Sequence, residues 1–165
     1  SGAPDSFRRS PYIGRVELMF VGFTGRFVHT LDEKGRITFP VAYRDSLGAS
    51  PFILSGFDDN IQVMTNERFL TLYDLINGMN MGDEKSRELR RMIFSTASEI
   101  EFDKTGRLLI PTSLRESAFL DDSVLLMGVG NAIEIWNPKI YAEKRKSGNL
   151  PKPAAELVSN FNIPF

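Results

Sequence analysis

The same short phrase occurs twice in this chain, and it is the feature that most constrains the fold. The first copy runs from Asp32 to Pro40 as Asp-Glu-Lys-Gly-Arg-Ile-Thr-Phe-Pro, and the second runs from Asp103 to Pro111 as Asp-Lys-Thr-Gly-Arg-Leu-Leu-Ile-Pro. The shared Asp, Gly, Arg and Pro residues lie 71 positions apart, as Asp103 does from Asp32, and so does an Arg after each Pro. Because such repetition indicates two copies of one supersecondary unit, we predict a fold built from two related halves.

Each copy of the phrase predicts a tight turn between two short strands. Asp at the first position and Gly at the fourth favour a type I turn in which Gly has a positive φ. The β-prone runs 37–39 and 108–110 follow the turns. We therefore predict that each phrase is a hairpin. The prolines end strand pairing and favour short helices over 41–47 and 112–120, the first of them ended by Gly48.

The chain after each short helix also repeats loosely. Strands are predicted at 51–54 and 61–64, and again at 123–126 and 133–136. A helix then begins at Thr65-Asn66 or at Asn137-Pro138, where Asn is a suitable N-cap. Two helices are predicted between the repeats, the first ending at Gly78 and the second beginning near Asp83.

The composition excludes several classes of function. With 165 residues and no cysteine, the chain can form one shared core but no disulfide, cysteine nucleophile or thiolate metal site. It has one histidine, no glycine-rich phosphate loop and no metal-ligand spacing, so we predict no enzyme, no catalytic residue, no metal and no cofactor. No apolar run approaches the roughly 20 residues that span a membrane. These features are compatible with a cytosolic protein.

The paired Asp-x-x-Gly-Arg phrases, each followed by Pro and then Arg, resemble the MraZ family of bacterial transcriptional regulators, in the AbrB-like swapped-hairpin superfamily. Three further segments match: Met19-Phe20-x-Gly22, Gly128-x-Gly130-Asn131 and Glu134-x-Trp136. The resemblance covers about residues 19–146. It implies a mainly β fold with helices (α+β), in which a double repeat forms a swapped-hairpin β-barrel. It also implies a ring of many subunits, in the cytoplasm and on the nucleoid. Such rings bind double-stranded DNA at direct repeats in the promoter of the division and cell-wall gene cluster.

The resemblance assigns DNA binding to the two turns. The residues carried over by motif position are Asp32, Lys34, Gly35, Arg36, Asp103, Lys104, Gly106 and Arg107. In this interpretation the arginines contact bases, the aspartates orient them and the lysines contact phosphates. The alternative is that each Asp only caps its turn and each Arg only pairs with that Asp at an exposed surface. Arg44 and Arg115 are expected to be structural, pairing with a nearby acid or covering apolar surface.

The overall charge argues against tight DNA binding by one subunit. The net charge is −1 and the isoelectric point about 5.9, whereas many DNA-binding domains are clearly basic. Several subunits in a ring would compensate, because linked sites raise affinity by ~10²–10⁴. The alternative functions are an oligomeric scaffold for protein partners and an antitoxin-like module.

The pattern predicts five segments. They are an N-terminal extension (1–18, whose first residues fit a tag remnant), the first repeat (19–66), connecting helices (67–96), the second repeat (97–142) and an apolar C-terminal arm (143–165).

Overall fold

The protein was analysed as a computed structural model, which describes residues 6–9, 18–20, 22–147 and 159–162. Most of the predicted N-terminal extension and C-terminal arm therefore lie outside the described residues. The described elements are β1 (Phe7–Arg9), β2 (Leu18–Phe20), β3 (Arg26–Thr30), β4 (Arg36–Thr38), α1 (Val41–Leu47), β5 (Phe52–Ser55), β6 (Ile61–Met64), α2 (Asn66–Asn77), α3 (Glu84–Thr96), β7 (Ser98–Glu99), β8 (Arg107–Leu109), α4 (Thr112–Ser117), β9 (Ser123–Gly128), β10 (Ile133–Trp136) and α5 (Pro138–Lys146).

Local sequence signals account for the helix ends. The predicted short helices form at α1 and α4, although α4 ends at Ser117 rather than at residue 120. Gly48 ends α1 with φ +79°. Thr65 rather than Asn66 caps α2, because its side chain accepts a hydrogen bond from the backbone N–H of Arg68. Asn137 caps α5 in the same way.

The two repeats are joined by exchange of strands. A six-stranded antiparallel sheet has the order β3-β9-β10-β6-β5-β7. Strand β3 of the first repeat pairs with β9 of the second, and β7 of the second repeat pairs with β5 of the first. Strands β4 and β8 pair with each other as a separate two-stranded ribbon. The double-repeat α+β fold predicted from the sequence is therefore confirmed.

The hairpin prediction was wrong in its pairing. The turns form, but the strands on either side of each turn belong to different sheets, since β3 lies in the six-stranded sheet and β4 in the ribbon. Across the second turn a single antiparallel bridge, between Phe102 and Leu108, is the described part of the predicted hairpin pairing. The described strands also do not close into a barrel, because β3 and β7 each pair on one side only.

One core lies between the ribbon and one face of the sheet. Ile37 of β4 and Leu108 of β8 are both fully buried and pack with Ile53, Val63 and Leu126 of the sheet. The other face is covered by helices: α2 and α3 pack over Leu54 and Met64, and Tyr141 of α5 packs against Leu125, Met127 and Trp136. The side of the ribbon that carries Ile37 and Leu108 therefore packs on the core, and its opposite side is exposed to solvent.

Candidate nucleic-acid interface

The first turn (residues 32–36) is organised by the carboxylate of Asp32. Its Oδ1 accepts hydrogen bonds from the backbone N–H groups of Lys34, at 2.9 Å, and of Arg36, at 2.8 Å. The backbone closes the same turn, because Gly35 N donates to Asp32 O at 3.0 Å. The bond from the Arg36 N–H, above all, lowers the pKa of Asp32 from its usual value. Asp32 is therefore an ionised capping group.

The second turn (residues 103–107) repeats this arrangement with one addition. Asp103 Oδ1 accepts hydrogen bonds from the backbone N–H groups of Thr105 and Arg107, both at 2.9 Å, and from the Thr105 hydroxyl at 2.8 Å. The bond from the Arg107 N–H makes the largest contribution to holding the pKa of Asp103 far below its usual range. The two turns are therefore preorganised by the same local chemistry.

The ribbon brings Arg36 and Arg107 onto one exposed face. In the antiparallel register Arg36 lies opposite Leu109, and Thr38 lies opposite Arg107. Because side chains alternate along a strand, these four residues share the face opposite to Ile37 and Leu108, which are fully buried. The two arginines therefore lie on the same side of the molecule, one near each end of the ribbon.

The side chains of Arg36 and Arg107 differ in their hydrogen bonds and ion pairs. Arg107 Nε donates to Asp103 Oδ2 at 2.9 Å, and Arg107 Nη1 lies 3.6 Å from Asp32 Oδ2 of the first turn. Within the described part of the chain, the Arg36 side chain forms no hydrogen bond or ion pair. The interpretation in which each Arg only pairs with the Asp of its own turn thus fits neither residue, because Arg107 pairs with both aspartates and Arg36 forms no ion pair among the described residues.

The two lysines are both exposed but do not occupy equivalent positions. Lys34 lies two residues after Asp32, where the second turn has Thr105, and Lys104 lies one residue after Asp103, where the first turn has Glu33. The Thr105 hydroxyl was not singled out from the sequence, although a hydroxyl two residues after an Asp is a recognisable turn signal. The hydroxyl of Thr105 gives the second turn one hydrogen bond that the first turn lacks.

Arg44 and Arg115 lie beneath the turns, which the sequence analysis did not predict. Gly35 and Gly106 are buried with φ of +83° and +77°. A Cβ atom added to Gly35 would meet Arg115 of the second repeat, and one added to Gly106 would meet Arg44 of the first. Neither arginine pairs with an acidic group of the described residues. The signal was in the sequence, since both arginines repeat in the same register as the turns.

Other kinds of site find little support in the structure. Among the described residues, no group of three or more His, Asp or Glu side chains is arranged to hold a metal ion. No helix in the described segments is both long and apolar enough to cross a membrane.

Comparison with known proteins identifies the family. The model of the family described as "MraZ protein, putative antitoxin-like" matches residues 22–92 and 93–160. A protein named transcriptional regulator MraZ from Roseiflexus sp. (strain RS-1) is 37% identical over 117 residues, which cover 71% of this chain and 82% of the relative. The protein of that name from Desulfitobacterium hafniense (strain Y51) is 34% identical over 142 residues, covering 86% of this chain and 99% of the relative. Two matches in tandem, together with relatives at this identity and coverage, mean that the chain belongs to the MraZ family.

Proposed function

We propose that this protein is a transcriptional regulator that binds double-stranded promoter DNA through the two turns. One observation carries the proposal: Arg36 and Arg107 lie on the same exposed face of the β4–β8 ribbon. The relatives named transcriptional regulators support the same function. The proposed target is a set of direct repeats in the promoter of the division and cell-wall gene cluster. The protein would then act in the cytoplasm, associated with the nucleoid.

The chemistry of the turns suits this task. An arginine can donate two parallel hydrogen bonds to the O6 and N7 atoms of guanine in the major groove. Among the described residues the Arg36 side chain has no hydrogen bond or ion pair to release before it binds DNA, only the attraction of its charge to Asp32. The exposed Lys34 and Lys104 are suited to phosphate contacts, which fix the register of a protein on the duplex. Because Asp32 and Asp103 are bonded to the backbone, the turns need little reorganisation on binding.

We further propose that binding requires an oligomer, a ring of several subunits. The chain has a net charge of −1, so that a single subunit offers little general attraction to DNA. Helix α2 offers apolar side chains for assembly, because Leu70, which is 53% exposed, and the exposed Tyr73 lie three positions apart and are therefore neighbours on the helix surface. Light scattering should give a molar mass several times the 18.6 kDa of one chain.

The central experiment measures binding to the DNA immediately upstream of the protein's own coding sequence. The double variant Arg36→Ala/Arg107→Ala should stay folded and oligomeric but lose this binding. The matched control is Arg68→Ala, a half-buried arginine on α2. For the unaltered protein, log affinity should fall linearly with log salt, with a slope of about −0.9 per phosphate neutralised. Equal binding by the double variant and the control would refute the proposal.

The number of DNA boxes is a separate test. If several turns act together, DNA with repeated boxes should bind much more tightly than DNA with one box, by a factor approaching ~10²–10⁴. Equal affinity for one box and for several would contradict the oligomeric mechanism. If the unaltered protein binds no DNA at all, the function is a protein-interaction scaffold or an antitoxin-like module.

Acid–base catalysis by the turns is disfavoured. A carboxylate that acts as a general base near neutral pH needs a pKa raised towards that pH. Backbone N–H groups instead lower the pKa of both Asp32 and Asp103. These carboxylates are therefore weaker bases than ordinary ones. The relatives are named regulators, which agrees with a protein that is not an enzyme.

A further inference from the structure

Each turn rests on an arginine that belongs to the other repeat. A Cβ atom placed on Gly35 would lie only 2.7 Å from Nε of Arg115, and one placed on Gly106 would lie 2.5 Å from Cζ of Arg44. Real Cβ atoms are almost never found so close to another heavy atom. The backbone of each turn is therefore packed directly on a guanidinium group. The contact is reciprocal, so that each repeat packs an arginine against the turn of the other.

Besides packing against the opposite turn, Arg115 and Arg44 each make a side-chain hydrogen bond within their own repeat. Arg115 Nη2 donates to the Thr112 hydroxyl at 2.8 Å, and Arg44 Nε donates to the carbonyl of Phe39 at 3.2 Å. Arg115 Nε is buried and has no hydrogen-bond partner among the described residues. A buried N–H without a partner costs free energy, so Arg115 is not fully satisfied by hydrogen bonds, and its packing against the turn adds to its bond with Thr112.

The charge of these arginines also acts on the turns. Residues 32–36 contain two acidic and two basic side chains, and residues 103–107 contain one acidic and two basic side chains. Arg115 and Arg44 each add one positive charge directly beneath a turn, and neither is paired with an acidic group of the described segments. They therefore add positive charge close to the face that carries Arg36 and Arg107, and this partly compensates for the net charge of −1 of the chain.

We propose that Arg115 and Arg44 are positioning residues for DNA binding, each acting on the turn of the opposite repeat. Arg115 fixes the first turn and so orients Arg36, whereas Arg44 fixes the second turn and so orients Arg107. The planar guanidinium group is the essential feature, because it lies flat beneath a glycine that leaves no room for a Cβ atom. This inference rests on the proposed function, although the support of the turns can be tested without DNA.

The DNA experiment uses charge-preserving variants in two backgrounds. The probe is the DNA upstream of the protein's own coding sequence, and the protein is the full-length chain. Arg115→Lys should weaken binding about tenfold, as expected for partial loss of one arginine–base contact. The same loss should occur in the Arg107→Ala background but nearly vanish in the Arg36→Ala background. Arg44→Lys should show the opposite dependence, and Arg68→Lys on α2 is the control that should change nothing.

A purely structural role would not produce this crossed pattern. General loss of stability would weaken binding equally in both backgrounds, and that result would overturn the proposal. Full affinity of Arg115→Lys, with its charge retained, would also overturn it. If Arg36→Ala and Arg107→Ala themselves leave binding unchanged, it is the proposed function that fails.

Hydrogen exchange gives the test that does not depend on DNA. Arg115→Lys should speed exchange of the amides at 34–36, which bond to Asp32, and leave those at 105–107 unchanged. Arg44→Lys should speed exchange at 105–107 only. Faster exchange in the turn of the same repeat, or in neither turn, would refute the support of each turn by the opposite repeat.

Discussion

The guanidinium group of Arg107 contacts the carboxylate of Asp32 across the two repeats, with 3.6 Å between Nη1 and Oδ2. Arg107 is therefore held by the carboxylates of both turns, since its Nε also bonds to Asp103. Arg36, its counterpart in the repeat, has no such partner among the described residues. Two residues that are equivalent by sequence are thus inequivalent in their interactions, and we expect them to respond differently to substitution.

Arg36→Ala should reduce DNA affinity without changing the free energy of unfolding. Loss of one arginine–base contact removes about 1–3 kcal/mol of discrimination. The stability change should stay within about 0.5 kcal/mol, because among the described residues the Arg36 side chain has no hydrogen bond or ion pair to lose, only the weaker attraction of its charge to Asp32. Arg107→Ala should reduce affinity and also lower stability slightly, since exposed ion pairs contribute little. Gel-shift titration and chemical denaturation measure the two effects, and a larger stability loss from Arg36→Ala than from Arg107→Ala would contradict this assignment.

Gly35→Ala should destabilise the fold more than an alanine at an open glycine with a similar backbone conformation. Gly130 is the matched control, since its φ is +95° and, apart from its two chain neighbours, no described residue has a heavy atom within 4 Å of an added Cβ. Gly130→Ala should cost about 1–2 kcal/mol for the unfavourable φ alone. Gly35→Ala should cost about 1–3 kcal/mol more, because the new methyl group overlaps Arg115.

A double variant separates the free-energy cost of the positive φ at Gly35 from the cost of the overlap with Arg115. In an Arg115→Ala background the overlap is gone, and the cost of Gly35→Ala should fall to that measured at Gly130. Denaturant unfolding provides the values, and an unchanged cost in that background would show that Arg115 does not limit this position.

Asp103 should make the stability depend on pH in the acid range. Its folded-state pKa lies below the ordinary value of 3.8, above all because the Arg107 N–H bonds to the carboxylate. The stabilisation is therefore fully present above about pH 4 and is lost as pH falls towards the folded-state pKa. Asp103→Asn should be less stable than the unaltered protein at pH 6, and the gap should narrow below pH ~4. Denaturation curves between pH 6 and 2 test this, and a gap that widens in acid would refute it.

The two faces of the ribbon should respond in opposite ways to truncation. Leu108 is fully buried beneath the ribbon, whereas the adjacent Leu109 is 53% exposed on the face of the two arginines. Leu108→Ala should cost about 2–5 kcal/mol because it opens a cavity in the shared core. Leu109→Ala should change stability by less than about 0.5 kcal/mol. Thermal or chemical unfolding compares them, and similar losses for both would mean that the ribbon is oriented differently.

The parts of the fold that depend on neighbouring residues could be predicted from the sequence. Asp32 and Asp103 bond to backbone groups within four positions, so that the Asp-x-x-Gly-Arg phrase alone specifies each turn. The ends of α1 and α5 follow in the same way from Gly48 and Asn137. The repeat register also predicted correctly that two related halves share one core.

Which strands pair, and which arginine is engaged across the repeats, depends on contacts between distant parts of the chain. A turn brings two strands close but does not fix their partners, and here β3 pairs along its whole length with β9 of the other repeat. The contact of Arg107 with Asp32, and the position of Arg115 beneath Gly35, arise from that exchange. The two turns could be predicted from the sequence because each Asp bonds to backbone groups within four residues of itself, and the extra bond from Thr105 is equally local. The contact of Arg107 with Asp32 could not be predicted, because it depends on packing between residues far apart in the chain.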